Sequence, residues 1–170
     1  MDYRIAICDD EETQRAYISA LVRSWAEQSD HTVELELFGS AEEFLFHYEE
    51  QNNYDILLLD IEMDRIDGIT LAKRVRAENE AVQIIFITGY SEYIAEGYEV
   101  AALHYLMKPV DREKLLTVLD RAVQKLRKNG RFLTLSLSGE TVRVPIYEIR
   151  YLDVRQNYVT IHAKKDYTLK

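Results

Sequence analysis

Short apolar runs recur along the first part of the chain, at Ile5-Ala6-Ile7-Cys8, Leu35-Glu36-Leu37-Phe38, Ile56-Leu57-Leu58-Leu59, Ile84-Ile85-Phe86-Ile87 and Leu103-His104-Tyr105-Leu106. Three of them are apolar at essentially every position, the pattern of strands buried on both faces. Between the runs the hydrophobic period lengthens and predicts helices over Glu12 to Ser29, Ser40 to Glu50, Gly68 to Glu78 and Glu92 to Tyr98. A fifth helix follows Pro109. Asp111 can cap it, Leu115, Leu119, Ala122 and Leu126 form one apolar stripe, and Lys125, Arg127 and Lys128 crowd its last turn before Gly130. Alternating strand-helix units predict an α/β fold: a doubly wound, five-stranded parallel sheet with helices on both faces.

After Gly130 the period changes to two. Leu133, Leu135 and Leu137 alternate with Thr134, Ser136 and Ser138, Ser138-Gly139-Glu140 reads as a turn, and Val142 and Val144 resume the alternation. Ile149 to Val154 and Tyr158 to His162 read as two more strands around Gln156-Asn157, with Lys164-Lys165 as a solvated turn. The expected organisation is an α/β domain over residues 1–128 and a mostly β segment over 131–170. The second segment is small for an independent β domain, which predicts that it is incomplete as it stands. No Ser/Gly/Pro-rich linker, internal repeat or low-complexity tract intervenes.

Composition narrows the classes. With 47% hydrophobic and 30% charged residues, the 170-residue chain has ordinary globular usage, so disorder and fibrous scaffolds are poor readings. The lone Cys8 permits no internal disulfide and no cysteine-based zinc site, and the four His residues share no ligand spacing. No apolar run approaches the roughly 18 residues of a spanning helix, and the N-terminus has no signal-peptide pattern. A cytoplasmic protein without a membrane segment is expected. The net charge of −9 is unevenly spread: through Gly130 there are 14 Lys and Arg against 26 Asp and Glu, a balance of −12. From Arg131 onward, 7 against 4 gives +3. The acidic part can hold a cation and the basic part can approach a polyanion.

In an open parallel sheet, ligands bind beyond the carboxyl ends of the strands. There this sequence places Asp9-Asp10 after the first strand, Asp60 after the third, Thr88 at the fourth and Lys108-Pro109 after the fifth. Adjacent carboxylates repel unless a cation holds them, and Mg²⁺ suits an all-oxygen set. Lys108 adds a mobile point charge suited to a phosphoryl group.

These residues resemble a response regulator of two-component signalling. The resemblance covers roughly residues 2–128. It rests on the Asp9-Asp10 pair, Asp60 within Asp60-Ile61-Glu62-Met63-Asp64-Arg65-Ile66-Asp67-Gly68, Thr88-Gly89, and Tyr105-Leu106-Met107-Lys108-Pro109. It implies a flavodoxin-like (βα)5 receiver, similar to CheY, in which Asp60 takes a phosphoryl group from a sensor histidine kinase. Asp10 and Asp60 would bind Mg²⁺ with the backbone carbonyl of Glu62, and Asp9 would hold Asp10 or a metal-bound water. Thr88 would bond the phosphoryl oxygen, Lys108 would pair with the phosphoryl group through a cis bond to Pro109, and Tyr105 would be the aromatic switch. Asp64 departs from the pattern, standing where the family often has proline. Tyr93 and Tyr98 with Ile94, on the fourth helix, are either a dimer face of such proteins or ordinary packing.

The remainder, Val144-Pro145-Ile146-Tyr147-Glu148-Ile149-Arg150-Tyr151-Leu152-Asp153 followed by Asn157-Tyr158-Val159, resembles the opening of a LytTR-type DNA-binding domain of the LytR/AlgR family. This implies transcriptional control, a phosphorylation-favoured homodimer, and an output module cut short at Lys170. Arg155, Asn157 and Tyr158 are its candidate DNA-facing residues. Competing readings are a receiver that acts through protein contacts alone and an aspartyl-phosphate phosphatase. The phosphatase reading wants a second aspartate two residues after the nucleophile, where this chain has Glu62. A Gly-rich phosphate loop with its Lys-Ser/Thr pair is missing, which disfavours a nucleotide-dependent kinase.

Overall fold

The computed structural model describes residues 2–170, apart from the side chain of Tyr147. The chain divides into one compact unit ending at Ala122 and a second spanning Val123–Lys170. The elements of the first part are β1 (Asp2–Cys8), α1 (Glu12–Gln28), β2 (Thr32–Phe38), α2 (Ala41–Glu50), β3 (Ile56–Leu59), α3 (Gly68–Glu78), β4 (Gln83–Thr88), α4 (Ile94–Glu99), β5 (His104–Met107) and α5 (Arg112–Asn129).

The five strands form one sheet in the order β2-β1-β3-β4-β5, with parallel pairing throughout. β3 and β4 are buried at every residue, which is why their sequences carry no polar alternation. Successive side chains point to opposite faces. Ala6, Cys8, Leu57, Leu59, Ile84 and Phe86 pack with Phe44 and Tyr48 of α2 and Leu71, Ala72 and Val75 of α3. Fully burying each large aliphatic or aromatic side chain contributes roughly 1.5–3 kcal/mol.

Helix starts are set locally. Ser40 accepts the Glu43 N–H, Asp67 accepts the Thr70 N–H and Asp111 accepts the Lys114 N–H, so each satisfies a donor the first turn leaves free. The α4 helix begins at Ile94, two residues after the sequence expectation, and has no side-chain cap. On α1, the Trp25 indole N–H donates to Asp120 of α5 at 2.8 Å. Helix α5 runs unbroken from Arg112 to Asn129, so the unit boundary falls within a continuous helix.

The second unit holds β6 (Phe132–Leu137), β7 (Glu140–Pro145), a single 3-10 turn at Ile146–Glu148, β8 (Tyr151–Arg155), β9 (Tyr158–His162) and β10 (Asp166–Leu169). β6 and β7 form an antiparallel hairpin around Ser138 and Gly139, whose φ angles of 51° and 88° are the left-handed pair that a tight hairpin needs. The other three strands form a sheet in the order β10-β9-β8. Leu135 and Val144 of the hairpin, with Ile161 and Ala163, are the unit's small buried core. β10 was not legible in the sequence, since four residues after a lysine turn give too few alternations to register a period. β8 starts at Tyr151, two residues after the expected Ile149, and runs one residue further, to Arg155.

Candidate functional site

The geometry at the carboxyl ends of the strands follows from strand order. β1 and β3 are neighbours with Cys8 opposite Leu59, and the Asp60 N–H donates to the Cys8 carbonyl at 2.9 Å. Asp9 and Asp60, the next residue of each chain segment, are therefore side by side. The Lys108 N–H donates to the Thr88 carbonyl at 2.8 Å, fixing the two remaining groups on the next strands. The Lys108-Pro109 peptide bond is cis, as the family resemblance implies.

Side chains meet where the backbone aims them. Lys108 Nζ lies 2.7 Å from Asp9 Oδ2 and 3.1 Å from Asp60 Oδ2. The second oxygen of each carboxylate is tied locally: Asp9 Oδ1 accepts the Glu11 N–H at 2.9 Å and Asp60 Oδ1 accepts the Ile61 N–H at 2.8 Å. Asp9 is 1% exposed and Asp60 6%, whereas Asp10 faces solvent. Carboxylate oxygens of Asp9, Asp10 and Asp60 all lie within 4.8 Å of one another.

Electrostatics set the poise of the site. Burial pushes the Asp60 carboxyl up, the Asp9 charge adds to that, and Lys108 pulls it back only in part. Burial lowers the affinity of Lys108 for its proton, but Asp9 and Asp60 outweigh it and hold the ammonium above its ordinary range. Three carboxylates against one ammonium leave excess negative charge, and every donor is oxygen. The set fits a hard dication such as Mg²⁺. Thr88 is fully buried, and its hydroxyl faces the Asp60 carboxylate closely enough to favour that group's charged form, short of a well-aligned hydrogen bond.

The remaining predicted residues fall around this rim. Glu62 is exposed on the segment following Asp60, and the Tyr93 hydroxyl stands 3.5 Å from its carboxylate. Tyr105 is half-buried on β5, donates to the Tyr90 carbonyl, and has its phenol pushed up to about 12 by burial and nearby carboxylates. Tyr98 is exposed on α4 with Ile94, beside a groove of about 460 Å³ reaching Tyr105. In the second unit, Arg155, Asn157 and Tyr158 cluster at the β8–β9 turn, with Arg155 bonded to Asp153 at 3.0 Å.

Three contributors escape sequence reasoning. Arg15 donates to the Asp9 carbonyl at 2.7 Å, Gly68 backs onto the Asp60 main chain, and Glu42 of α2 accepts the Ile66 N–H at 3.1 Å. Only Gly68 left a signal, at the start of a helix eight residues after Asp60.

The family model of the response regulator receiver domain matches residues 5–120. The chain belongs to the receiver family. A response regulatory protein of Vibrio cholerae is 32% identical over 75% of this chain and 47% of its own length. The sensory transduction protein LytR of Streptococcus mutans is 25% identical over 98% of this chain and 72% of its own. Thus the chain spans about half of the Vibrio protein and more of the LytR protein. Among solved structures, a CheY-like receiver from Methanospirillum hungatei aligns with a TM-score of 0.62 at 26% identity, covering 76% of this chain and all of that one. The response regulatory domain of mrkE from Klebsiella pneumoniae gives 0.66 at 22% identity, over 74% of this chain and 98% of that one.

Receivers of this kind are generally regulatory rather than catalytic, and they generally bind Mg²⁺ at an acidic cluster. Among the described residues of this receiver, no helix is long and apolar enough to cross a membrane.

Proposed function

We propose that this receiver accepts a phosphoryl group on Asp60 from a sensor histidine kinase, and that the β-rich second unit belongs to a LytTR-type output that controls transcription. The observation that carries the first half is one ammonium, Lys108, paired with both Asp9 and Asp60 at the mouth of the sheet. An Asp60 oxygen would form a bond to phosphorus as the phosphorus–nitrogen bond of the donor phosphohistidine breaks. The imidazole leaves and takes its proton from solvent.

Each neighbour has a task. Lys108 would exchange part of its pairing with Asp60 for the incoming phosphoryl oxygens, and the buried Thr88 hydroxyl beside Asp60 would donate to them. Asp9, Asp10 and Asp60 with the Glu62 carbonyl would hold Mg²⁺, which when bound offsets the charge on the transferring group. Tyr105 reads the outcome through the β4–α4 segment, where its hydroxyl already meets Tyr90. A phosphoryl group replaces one negative charge with about two and adds acceptor oxygens, which shifts the balance between arrangements of that segment. Homodimerisation through the face bearing Ile94 and Tyr98 would follow.

The second half rests on the LytR alignment over nearly the whole chain and on the positive charge balance after Arg131. Arg155, Asn157 and Tyr158 would approach DNA from the hairpin tip. A receiver acting through protein contacts alone is the alternative, and salt-dependent DNA binding by the complete regulator separates the two.

The deciding experiment is incubation with Mg²⁺ and acetyl phosphate, read by intact mass, with Asp60→Asn alongside. One phosphoryl adduct that needs Mg²⁺ and disappears in the variant supports the reading. A folded protein that takes no adduct, or one that persists in the variant, overturns it.

A further inference from the structure

The segment from Ile61 to Asp67 carries Glu62 and links β3 to α3 without regular structure. Its two ends are fixed by their own sequence. The Gly68 N–H donates to the Ile61 carbonyl at 2.8 Å, and Asp67 caps α3 through the Thr70 N–H at 2.7 Å. The middle is less constrained. Asp64 brings none of the fixed φ a proline would supply, and Arg65 sits at φ 65°, a left-handed conformation uncommon for a residue with a side chain.

A side-chain carboxylate from another element reaches into that middle. Glu42, half-buried in the first turn of α2, accepts the Ile66 N–H at 3.1 Å across 24 residues of sequence. Helix α2 is itself anchored by Phe44 and Tyr48, both buried in the core, and by the Ser40 cap. The Met63 thioether adds a softer contact at 3.6 Å from Cys8 Sγ. Glu42 thus joins a rigid helix to the backbone one residue beyond the strained Arg65.

We propose that Glu42 is a positioning residue of the acidic rim, holding the Ile61–Asp67 segment in the shape that presents the Glu62 carbonyl to a divalent cation. The proposal rests on the Mg²⁺ reading above and deepens it. Glu42 touches neither the cation nor the phosphoryl group, and acts only through the Ile66 N–H. A hydrogen bond is all the role requires, so a glutamine side-chain carbonyl in its place serves as well as the carboxylate. Loss of a group that orients a ligand typically weakens metal affinity by about 10-fold or more.

The test is Mg²⁺ affinity by titration calorimetry on the full chain and on Glu42→Ala and Glu42→Gln, with amide hydrogen exchange at Ile66. Thermal denaturation confirms that each variant is folded. Expected are about 10-fold weaker Mg²⁺ binding and faster Ile66 exchange in Glu42→Ala. Glu42→Gln stays within about threefold of the parent, the remainder reflecting one lost, screened charge. Unchanged affinity in Glu42→Ala overturns the proposal, as does a loss in Glu42→Gln equal to that in Glu42→Ala, which would mark a bulk charge effect. A parent chain that binds no Mg²⁺ overturns both this proposal and the reading on which it rests.

Discussion

Gly68 and Asp60 are packed main chain to main chain: a Cβ at position 68 would lie 1.9 Å from the Asp60 carbonyl oxygen. No side chain can occupy that space unless the Asp60 backbone moves, so glycine is required here by contact rather than by φ. Gly68→Ala is expected to cost about 3 kcal/mol or more in urea denaturation and to weaken Mg²⁺ binding with it. Gly89 is the internal control. An added Cβ there meets nothing within 4 Å, and Gly89→Ala should leave stability unchanged or raise it by about 0.5 kcal/mol.

Removal of Lys108 strands two buried carboxylates. Its side chain is 14% exposed against 2% and 7% for those of Asp9 and Asp60, so solvent does little to replace it. Lys108→Met is expected to lose about 3 kcal/mol at neutral pH and low divalent concentration. Added Mg²⁺ should restore a larger share of stability in the variant than in the parent. Equal Mg²⁺ responses in a denaturation series would contradict the assignment of both carboxylates to one ion site.

Asp60 itself works against stability at neutral pH. Its folded pKa is raised above the unfolded value, so the native state binds its proton more tightly, and stability falls as pH rises through the folded pKa. Asp60→Asn should therefore raise the melting temperature at pH 7. The gain should shrink toward zero as pH falls below the ordinary aspartate range. Melting curves of parent and variant across pH 3.5–7.5, without divalent cations, read this directly; a gain that does not depend on pH would refute it.

A single arginine closes the other end of the fold. The Arg76 guanidinium donates to the carbonyls of Val100 at 2.7 Å, Val82 at 2.8 Å, Glu80 at 2.9 Å, Asn79 at 3.2 Å and Ala101 at 3.4 Å. Together they tie the end of α3 and its following loop to the end of α4. Lysine keeps the charge but lacks the planar fork. Arg76→Lys is expected to cost about 2 kcal/mol in chemical denaturation and to accelerate amide exchange around Val100.

The sequence alone determined the repeated strand and helix, because its signals are local. Continuous apolar runs mark strands covered on both faces, and Ser40, Asp67 and Asp111 announce helix starts by chemistry that needs only the next three residues. It also placed Asp9, Asp10, Asp60, Thr88 and Lys108 at strand ends, since position along the chain fixes position along the strand. What no local pattern can encode is which strands are neighbours. The order β2-β1-β3-β4-β5 sets Asp9 beside Asp60 and brings Lys108 within reach of both. Glu42 on the Ile66 amide joins segments that tertiary packing brings together, while Arg15 on the Asp9 carbonyl and the contact of Gly68 with Asp60 depend on how the loops after β1 and β3 fold back. They involve main-chain atoms, which every residue possesses, and so leave no mark on the sequence at the partner's position.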